Sequence, residues 1–164
     1  MIPNTRGLTI IELMVVIGIL AILAGFVVPN FINWRSGAAL RGAVNNLKGD
    51  LELAKARAIR ENNYVAVHFY SPDRYKVFLD NGAGPGGVSD NWIRDGDEPL
   101  LRDREMPGGV SIDLGPTSFG TLGDKTRFNG RGHCTAGSAY LVNSKGVTMR
   151  VKVTRLGLIT IIRQ

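Results

Sequence analysis

The chain has 164 residues, 44% of them hydrophobic, and its formal net charge at pH 7 is +6. At this length the expected organisation is one anchoring segment followed by one small domain. A single cysteine, Cys134, excludes an intramolecular disulfide, so the domain must be stabilised by its hydrophobic core.

The first element is an apolar run that follows a polar leader, residues 1–7. Residues 8–28 contain one charged side chain, Glu12. A helix of this length is about 30 Å long, which matches the hydrocarbon core of a bilayer, so we predict a transmembrane helix over about 8–28. An ionisable group inside such a run is costly and is therefore a candidate functional residue. Pro29 is predicted to kink the helix.

Gly7, Leu8, Glu12 and Pro29, in register with the charge-free run, resemble the N-terminal signal of type IV pilins and type II secretion pseudopilins. The resemblance implies that a prepilin peptidase cleaves between Gly7 and Leu8 and N-methylates Leu8, although the usual first mature residue is Phe. It also implies that Glu12 guides assembly with other pilin subunits into a helical filament. The same resemblance implies a single-pass protein of the bacterial inner membrane with a periplasmic carboxyl-terminal domain, or a domain displayed in an extracellular pilus.

Two simpler interpretations of the run stay open. The first is an ordinary secretory signal peptide, but its apolar core would contain an acid, and Ile22-Leu23-Ala24 is a poor cleavage site for signal peptidase. The second is a plain membrane anchor with an incidental glutamate. Basic residues on both sides of the run leave its orientation undecided by charge alone.

The helix is predicted to continue past the apolar run to about residue 63. Apolar residues recur at spacings of three and four, which places one stripe on a helix surface. Its members are Leu40, Val44, Leu47, Leu51, Ala54 and Ala58. The asparagines Asn62 and Asn63 favour termination of the helix. We therefore expect a helix over 8–63.

From Tyr64 the apolar period changes to two, which predicts a β domain over 64–164. Residues 64–70 and 74–79 read as a hairpin with a turn at Ser71-Pro72-Asp73. Six further short strands are predicted near 100–102, 110–114, 127–129, 138–143, 147–154 and 158–163, the last three as a meander. The fold class is α+β and pilin-like, a long N-terminal helix followed by an antiparallel sheet domain.

The carboxyl-terminal third resembles the GspH/FimT group of minor pseudopilins and minor pilins. The residues that carry this resemblance are Phe128-Asn129-Gly130-Arg131-Gly132, the Lys145-Gly146 turn and Leu156-Gly157, with strands between them. The absence of the carboxyl-terminal disulfide loop that is common in major pilins favours a minor component. Residues 81–99 form a long loop rich in Gly and Asp, to which no motif corresponds; we expect it to be mobile or to carry recognition.

Three patterns in the chain superficially suggest ligand or metal chemistry. Residues 82–87 fit G-x-G-x-x-G, but no helical pattern follows, so a dinucleotide site is not expected. Asp90, Asp95, Asp97 and Glu98 do not have the spacing of a known calcium loop, and solvated charge is the expectation. The adjacent pair His133-Cys134 lacks the further ligands or the base that a metal site or a nucleophile needs. We expect no enzyme, no metal and no cofactor.

Charge is unevenly distributed along the domain. Residues 65–119 contain five basic and nine acidic side chains, whereas residues 120–164 contain eight basic residues and one acid. Basic groups of this kind suit an acidic partner subunit, anionic lipid or the phosphates of DNA. The candidates for contact with DNA or a partner are Arg127, Arg131, Arg150, Lys152, Arg155 and Arg163.

The favoured function is that of a minor pseudopilin, a structural subunit of the membrane-anchored filament of the type II secretion system. The alternative is a FimT-like minor type IV pilin that contributes to pilus assembly and to DNA binding and uptake. Both interpretations expect a prepilin peptidase and N-methyltransferase, other pilin or pseudopilin subunits and the membrane as partners.

Overall fold

The computed structural model describes residues 9–121 and 123–163, with the backbone alone described for residues 26–29. The predicted leader, including the cleavage site between Gly7 and Leu8, lies outside the described residues. The side chain of Pro29 also lies outside them, so the predicted kink there stays a prediction.

The chain divides into two compact units, Met1–Arg35 and Ser36–Gln164. Among the described residues, no single helix is both long and apolar enough to cross a membrane. The segments Ile10–Gly25 and Asn30–Glu61 meet the requirements of length and composition only when they are taken together across residues 26–29.

Helix α1 comprises Ile10–Glu61. It begins at Thr9, whose side-chain oxygen accepts a hydrogen bond from the backbone N–H of Glu12 at 3.3 Å. It ends in a left-handed residue, Asn62, with a φ of 47°. The N–H of Asn63 then bonds back to the carbonyl of Ala58 at 3.1 Å, which is the bond pattern of a glycine-type helix stop made here by asparagine. The predicted end of the helix is confirmed.

Eight strands follow the helix. In chain order they are β1 (Tyr64–Ser71), β2 (Arg74–Asp80), β3 (Leu100–Glu105), β4 (Val110–Phe119), β5 (Lys125–Phe128), β6 (Gly137–Asn143), β7 (Thr148–Val153) and β8 (Ile159–Arg163). They form two four-stranded sheets, a division that the predicted antiparallel sheet domain did not specify. The first sheet has the order β3-β2-β1-β5 and the second the order β4-β6-β7-β8.

All pairings between the eight described strands are antiparallel, and the predicted hairpin β1–β2 and the meander β6–β7–β8 are both present. The chain changes sheets after β3, returns to the first sheet for β5 and then completes the second. The fold class is therefore confirmed as a long N-terminal helix followed by antiparallel sheets.

One hydrophobic core joins the part of α1 that belongs to the second unit to both sheets. The predicted stripe on the helix is fully buried: each of its six members, from Leu40 to Ala58, is at most 1% exposed. Phe69 of β1 and Phe119 of β4 stack across the sheets with their ring centroids 5.5 Å apart. Polar side chains at the border of this core connect the helix, the sheets and the loops.

Candidate assembly and contact surfaces

Glu12 lies in the first turn of α1 in the first unit, where all described residues from Thr9 to Gly25 are exposed. Thr9 and Glu12 have the Thr-x-x-Glu spacing of a capping box, and a carboxylate in the first turn also favours the helix dipole. Sequence analysis missed this local role, although the spacing is visible in the sequence. The exposed apolar helix surface is suited to lipid or to other helices, and Glu12 is the one acid within it.

Asp50 attaches the helix to the first sheet. Its side chain is 7% exposed, and it accepts a hydrogen bond of 2.8 Å from the hydroxyl of Tyr75 on β2. The Nε of Arg104 on β3 donates to the same carboxylate oxygen at 2.9 Å, and Arg102 lies 3.7 Å from the other oxygen. Burial and the Asp50 carboxylate both raise the pKa of Tyr75, so this hydroxyl remains a donor.

Arg127 on β5 is held in a cage of acids and aromatic rings. Its guanidinium carbon lies 4.0 Å from the ring centroid of Tyr64 and 3.8 Å from that of Trp92. It forms ion pairs with the fully buried Asp80 and with Asp90. Burial lowers the pKa of Arg127, and the nearby Asp80 opposes that shift. The guanidinium therefore fastens the loop after β2 to the first sheet.

Two buried carboxylates organise the loop 81–99. Asp80 accepts hydrogen bonds from the backbone N–H groups of Asp90 and Trp92 at 2.7 and 3.1 Å. Glu98, 0% exposed, accepts from the N–H of Gly82 at 2.8 Å and from that of Asp95 at 3.3 Å. The expectation that the acids of this loop are all solvated is wrong for Glu98, because its charge is satisfied by backbone donors instead of water.

Among the described residues, neither the acidic residues of the loop 81–99 nor the pair His133-Cys134 forms a recognisable metal site or reaction centre. No group of three or more His, Cys, Asp or Glu side chains that could hold a metal ion occurs among the described residues. The thiol of Cys134 donates to the carbonyl of Thr154 at 3.0 Å, and burial raises its pKa to about 11. His133 is exposed, whereas the other histidine, His68, contacts Asp124 at 3.1 Å.

The six predicted basic contact residues do not share one face. Arg150 and Lys152 lie on the outer side of β7, because the residues that alternate with them, Met149, Val151 and Val153, are buried. Arg163 pairs in register with Met149, so it lies on the opposite side of the second sheet.

Arg131 and Arg155 lie in two loops that meet near the end of the helix. The N–H of Cys134 bonds to the carbonyl of Arg155 at 3.1 Å, and Lys55 donates to the carbonyl of Gly157 at 3.0 Å in the same region. Arg127 is occupied by its acidic partners. The role of these six residues in binding stays a prediction, but their separation into four places is an observation that sequence spacing did not anticipate.

The chain matches two family models. The model described as type II transport protein GspH matches residues 43–157, and the prokaryotic N-terminal methylation motif matches residues 2–28. The first match covers most of the domain that carries the two sheets. The second indicates processing by a prepilin peptidase and, with the pilin-like helix, membrane anchoring ahead of a soluble carboxyl-terminal domain.

Two curated relatives are pilins. The chain is 35% identical over 80 residues to the pilin-like protein PilA1 of Thermus thermophilus, a match that covers 48% of this chain and 50% of the relative. It is 46% identical over 46 residues to the type IV major pilin PilA of Myxococcus xanthus, covering 28% and 21% of the two chains. The chain thus spans half or less of the length of these relatives.

Solved structures share the fold. The minor pseudopilin EpsH from the type 2 secretion system of Vibrio cholerae matches with a TM-score of 0.57 and 12% identity, over 76% of this chain and 96% of EpsH. The type IV minor pilin FimU of Pseudomonas aeruginosa matches with a TM-score of 0.53 and 11% identity, over 75% and 87% of the two chains. At such identities the likeness shows the fold alone.

Proposed function

The chain belongs to the GspH family of type II transport proteins, and from this premise we propose that it is a minor pseudopilin. In this role it is a structural subunit of a membrane-anchored helical filament and has no catalytic activity of its own. The match of the family model to residues 43–157 carries the proposal. The buried core that fastens the helix to both sheets supports it, since such a subunit must keep its domain fixed to the helix that assembles.

The proposal includes a processing step at the amino terminus. A prepilin peptidase removes residues 1–7 and N-methylates Leu8, and the match of the methylation motif to residues 2–28 supports this step. The new amine is mostly charged at neutral pH, because the pKa of an α-amino group is near 8. The carboxylate of Glu12 on a neighbouring subunit is its partner, and pairing them in a low-dielectric bundle avoids two isolated charges.

The proposed location is the inner membrane, with one span at about 8–28 and the second unit in the periplasm. Alkaline phosphatase fused after residue 163 tests this orientation, because the enzyme is active only outside the cytosol. Activity of the fusion is expected, and an inactive, protease-protected fusion contradicts the orientation.

The experiment that tests the function uses the tagged full chain expressed in its source bacterium beside its own peptidase. Mass spectrometry is expected to find a chain that begins at N-methylated Leu8, and affinity purification is expected to recover other pseudopilins of a secretion system. Glu12→Gln is expected to be processed normally but to lose these partners. Normal recovery of partners with Glu12→Gln contradicts the assigned role of Glu12.

A FimT-like minor pilin that binds DNA is the second candidate. The observation that favours it is the set of exposed cations, Lys152, Arg131 and Arg155, for which the described residues offer no carboxylate within 4.0 Å. Binding through phosphates weakens steeply with salt, since each neutralised phosphate releases counterions. Salt-dependent binding of duplex DNA by the full chain in detergent, lost on charge reversal at Arg131 and Arg155, would favour this candidate. No binding at low salt, together with recovery of secretion pseudopilins, favours the first.

A further inference from the structure

A small cavity lies at the end of the second unit where its first helical residues meet the second sheet. The cavity has a volume of about 140 Å³, and residues from three elements line it: Leu40 and Arg41 of α1, Val147 and Met149 around the start of β7, and Arg163 at the end of β8. We call three of the lining residues, Arg41, Arg163 and Val147, together with Lys145, which precedes Val147 by two residues in the chain, the entry surface. The inner wall of the cavity is apolar, because Leu40 and Met149 are buried.

The cations of the entry surface have no acidic partner in the part of the chain that the structure describes. Arg41 and Arg163 are both exposed, and among the described residues no carboxylate lies within 4.0 Å of either. By contrast, Arg74, Arg104 and Arg127 on the first sheet each form an ion pair. None of the residues that line the cavity is acidic. Arginine presents a planar fork of N–H donors that suits phosphate, so two arginines on one cavity with no carboxylate partner among the described residues favour a phosphate ligand.

The position of Arg41 in the chain favours a membrane lipid as the source of such a phosphate. Arg41 follows Val28, the last residue of the apolar run, by 13 residues. In a helix this corresponds to a contour of at most about 20 Å. Between them lie Phe31 and Trp34, which are 57% and 63% exposed and have ring centroids 5.9 Å apart. Exposed aromatic residues beside an apolar span are typical of the membrane–water interface. Arg41 follows Trp34 by seven residues in the chain.

We propose that the entry surface binds the phosphate groups of anionic phospholipids in the leaflet where the apolar helix emerges. Arg41 and Arg163 are the phosphate ligands, Lys145 adds a third positive charge, and Val147, 50% exposed, faces the apolar edge of the headgroup layer. The contact orients the second unit on the membrane before assembly. The inference rests on the proposed membrane-anchored function, and it assigns to Arg163 a ligand other than the DNA or partner subunit considered from the sequence.

The test uses the full chain in nanodiscs of phosphatidylcholine alone or with about 30 mol % phosphatidylglycerol, and it measures backbone hydrogen exchange in residues 144–148 and 159–163. Anionic lipid is expected to slow exchange there by about threefold or more, and high salt is expected to reverse the effect, since partitioning to anionic surfaces gains roughly fivefold per basic residue. Arg41→Gln/Arg163→Gln is expected to abolish the effect. Arg41→Lys/Arg163→Lys is expected to keep most of it, because both charges remain.

Arg150→Gln/Lys152→Gln is the matched control. It also removes two positive charges, but from the outer face of the second sheet, and it is expected to leave the lipid effect intact. If both double variants lose the effect equally, net charge explains it and the proposal is overturned. Equal exchange in the two lipid mixtures overturns it as well. If Arg41→Gln/Arg163→Gln unfolds, Lys145→Gln replaces it and is expected to reduce the lipid effect.

Two further outcomes separate this inference from the proposed function. A chain that enters the nanodiscs but shows no dependence on anionic lipid refutes the entry surface and leaves the membrane anchor standing. A chain that does not enter the discs refutes the anchor and the inference together. A parallel sample uses nanodiscs of phosphatidylcholine alone with added duplex DNA. If DNA slows exchange at the entry surface and anionic lipid does not, the surface is a nucleic-acid site and the proposal is overturned.

Discussion

Replacement of Asp50 by alanine tests how the helix is attached to the first sheet. The carboxylate is buried and accepts hydrogen bonds from Tyr75 at 2.8 Å and Arg104 at 2.9 Å. Alanine leaves the hydroxyl of Tyr75, in a side chain that is 1% exposed, without its acceptor. Arg104 has a side chain 44% exposed and can turn to water. The main cost therefore falls on the Tyr75 hydroxyl.

The magnitude follows from these two partners. An unsatisfied buried hydroxyl costs about 1–3 kcal/mol. The half-exposed ion pair with Arg104 adds about 0–1 kcal/mol, because solvent screens it. We expect Asp50→Ala to lower the free energy of unfolding by about 2–3 kcal/mol in total. Asp50→Asn keeps an acceptor oxygen for Tyr75 and loses only the charge, so about 1 kcal/mol is expected.

Tyr75→Phe completes a double-mutant cycle. The single variant removes a hydroxyl and leaves Asp50 with its arginines, at a cost of about 1 kcal/mol. In Asp50→Ala/Tyr75→Phe no hydroxyl is left unsatisfied, so the double variant is expected to be less destabilised than the sum of the two by at least about 1 kcal/mol.

Urea unfolding of the full chain in detergent, followed by fluorescence of Trp92 in a Trp34→Phe background, provides the measurement. A loss of 2–3 kcal/mol lowers the midpoint by roughly 1–1.5 M at a slope of about 2 kcal/mol/M. Additive effects within about 0.3 kcal/mol, or an Asp50→Ala cost below about 1 kcal/mol, would refute the reasoning that a buried unsatisfied hydroxyl dominates.

Three further predictions concern other buried polar groups. Arg127→Gln is expected to lower the free energy of unfolding by about 3 kcal/mol, because it leaves Asp80 buried without its cation, and to shift the emission of Trp92 to the red. Arg127→Lys, which stacks poorly, is expected to have a stability and an emission maximum between those of the unchanged chain and of Arg127→Gln. An unchanged spectrum contradicts the cage. Burial lowers the pKa of His68 from its usual 6.5, against the opposing effect of Asp124. The unfolded chain therefore binds the proton of His68 more tightly than the folded chain. This contribution to stability is complete above pH 6.5 and is lost as the pH falls through the lower pKa of the folded chain. His68→Gln should therefore make the urea midpoint less dependent on pH below about 6.5. Since burial raises the pKa of Cys134 from 9.0 to about 11, alkylation by iodoacetamide at about pH 8 should be roughly 100-fold slower in the folded chain than in urea, and equal rates would contradict its burial.

Much of the fold could be predicted because its signals are local and periodic. The apolar stripe from Leu40 to Ala58 predicts which side of the helix faces the core. The alternation of apolar and polar residues after Tyr64 does the same for the strands. Turns marked by glycine or proline fixed the order of the strands. The division into two sheets was missed, because it depends on which distant strands pair. The stacking of Phe69 on Phe119, 50 residues apart, has no local signature.

The candidate surfaces were harder to predict for a related reason. Arg150 and Lys152 alternate along one strand, so their common face was visible in the sequence. Arg163 was grouped with them by proximity in the chain, yet the register with Met149 places it on the other side of the sheet. Arg127 looked like one more cation, and only the fold brings Asp80, Asp90 and two aromatic rings around it. A one-residue change in register, which reverses the face of every side chain, cannot be read from composition.

The burial of acids changes what the formal charge means for binding. Asp50, Asp80 and Glu98 are at most 5% exposed, and their charges are directed to hydroxyls, arginines and backbone donors inside the fold. Several exposed cations of the second unit have no such partner among the described residues. The positions of these cations, rather than the net charge of +6, therefore decide where an anionic partner can bind. Because these cations are divided between separate places, one partner cannot engage all of them, and lipid, a neighbouring subunit and nucleic acid can be distinguished by which pair of arginines each requires.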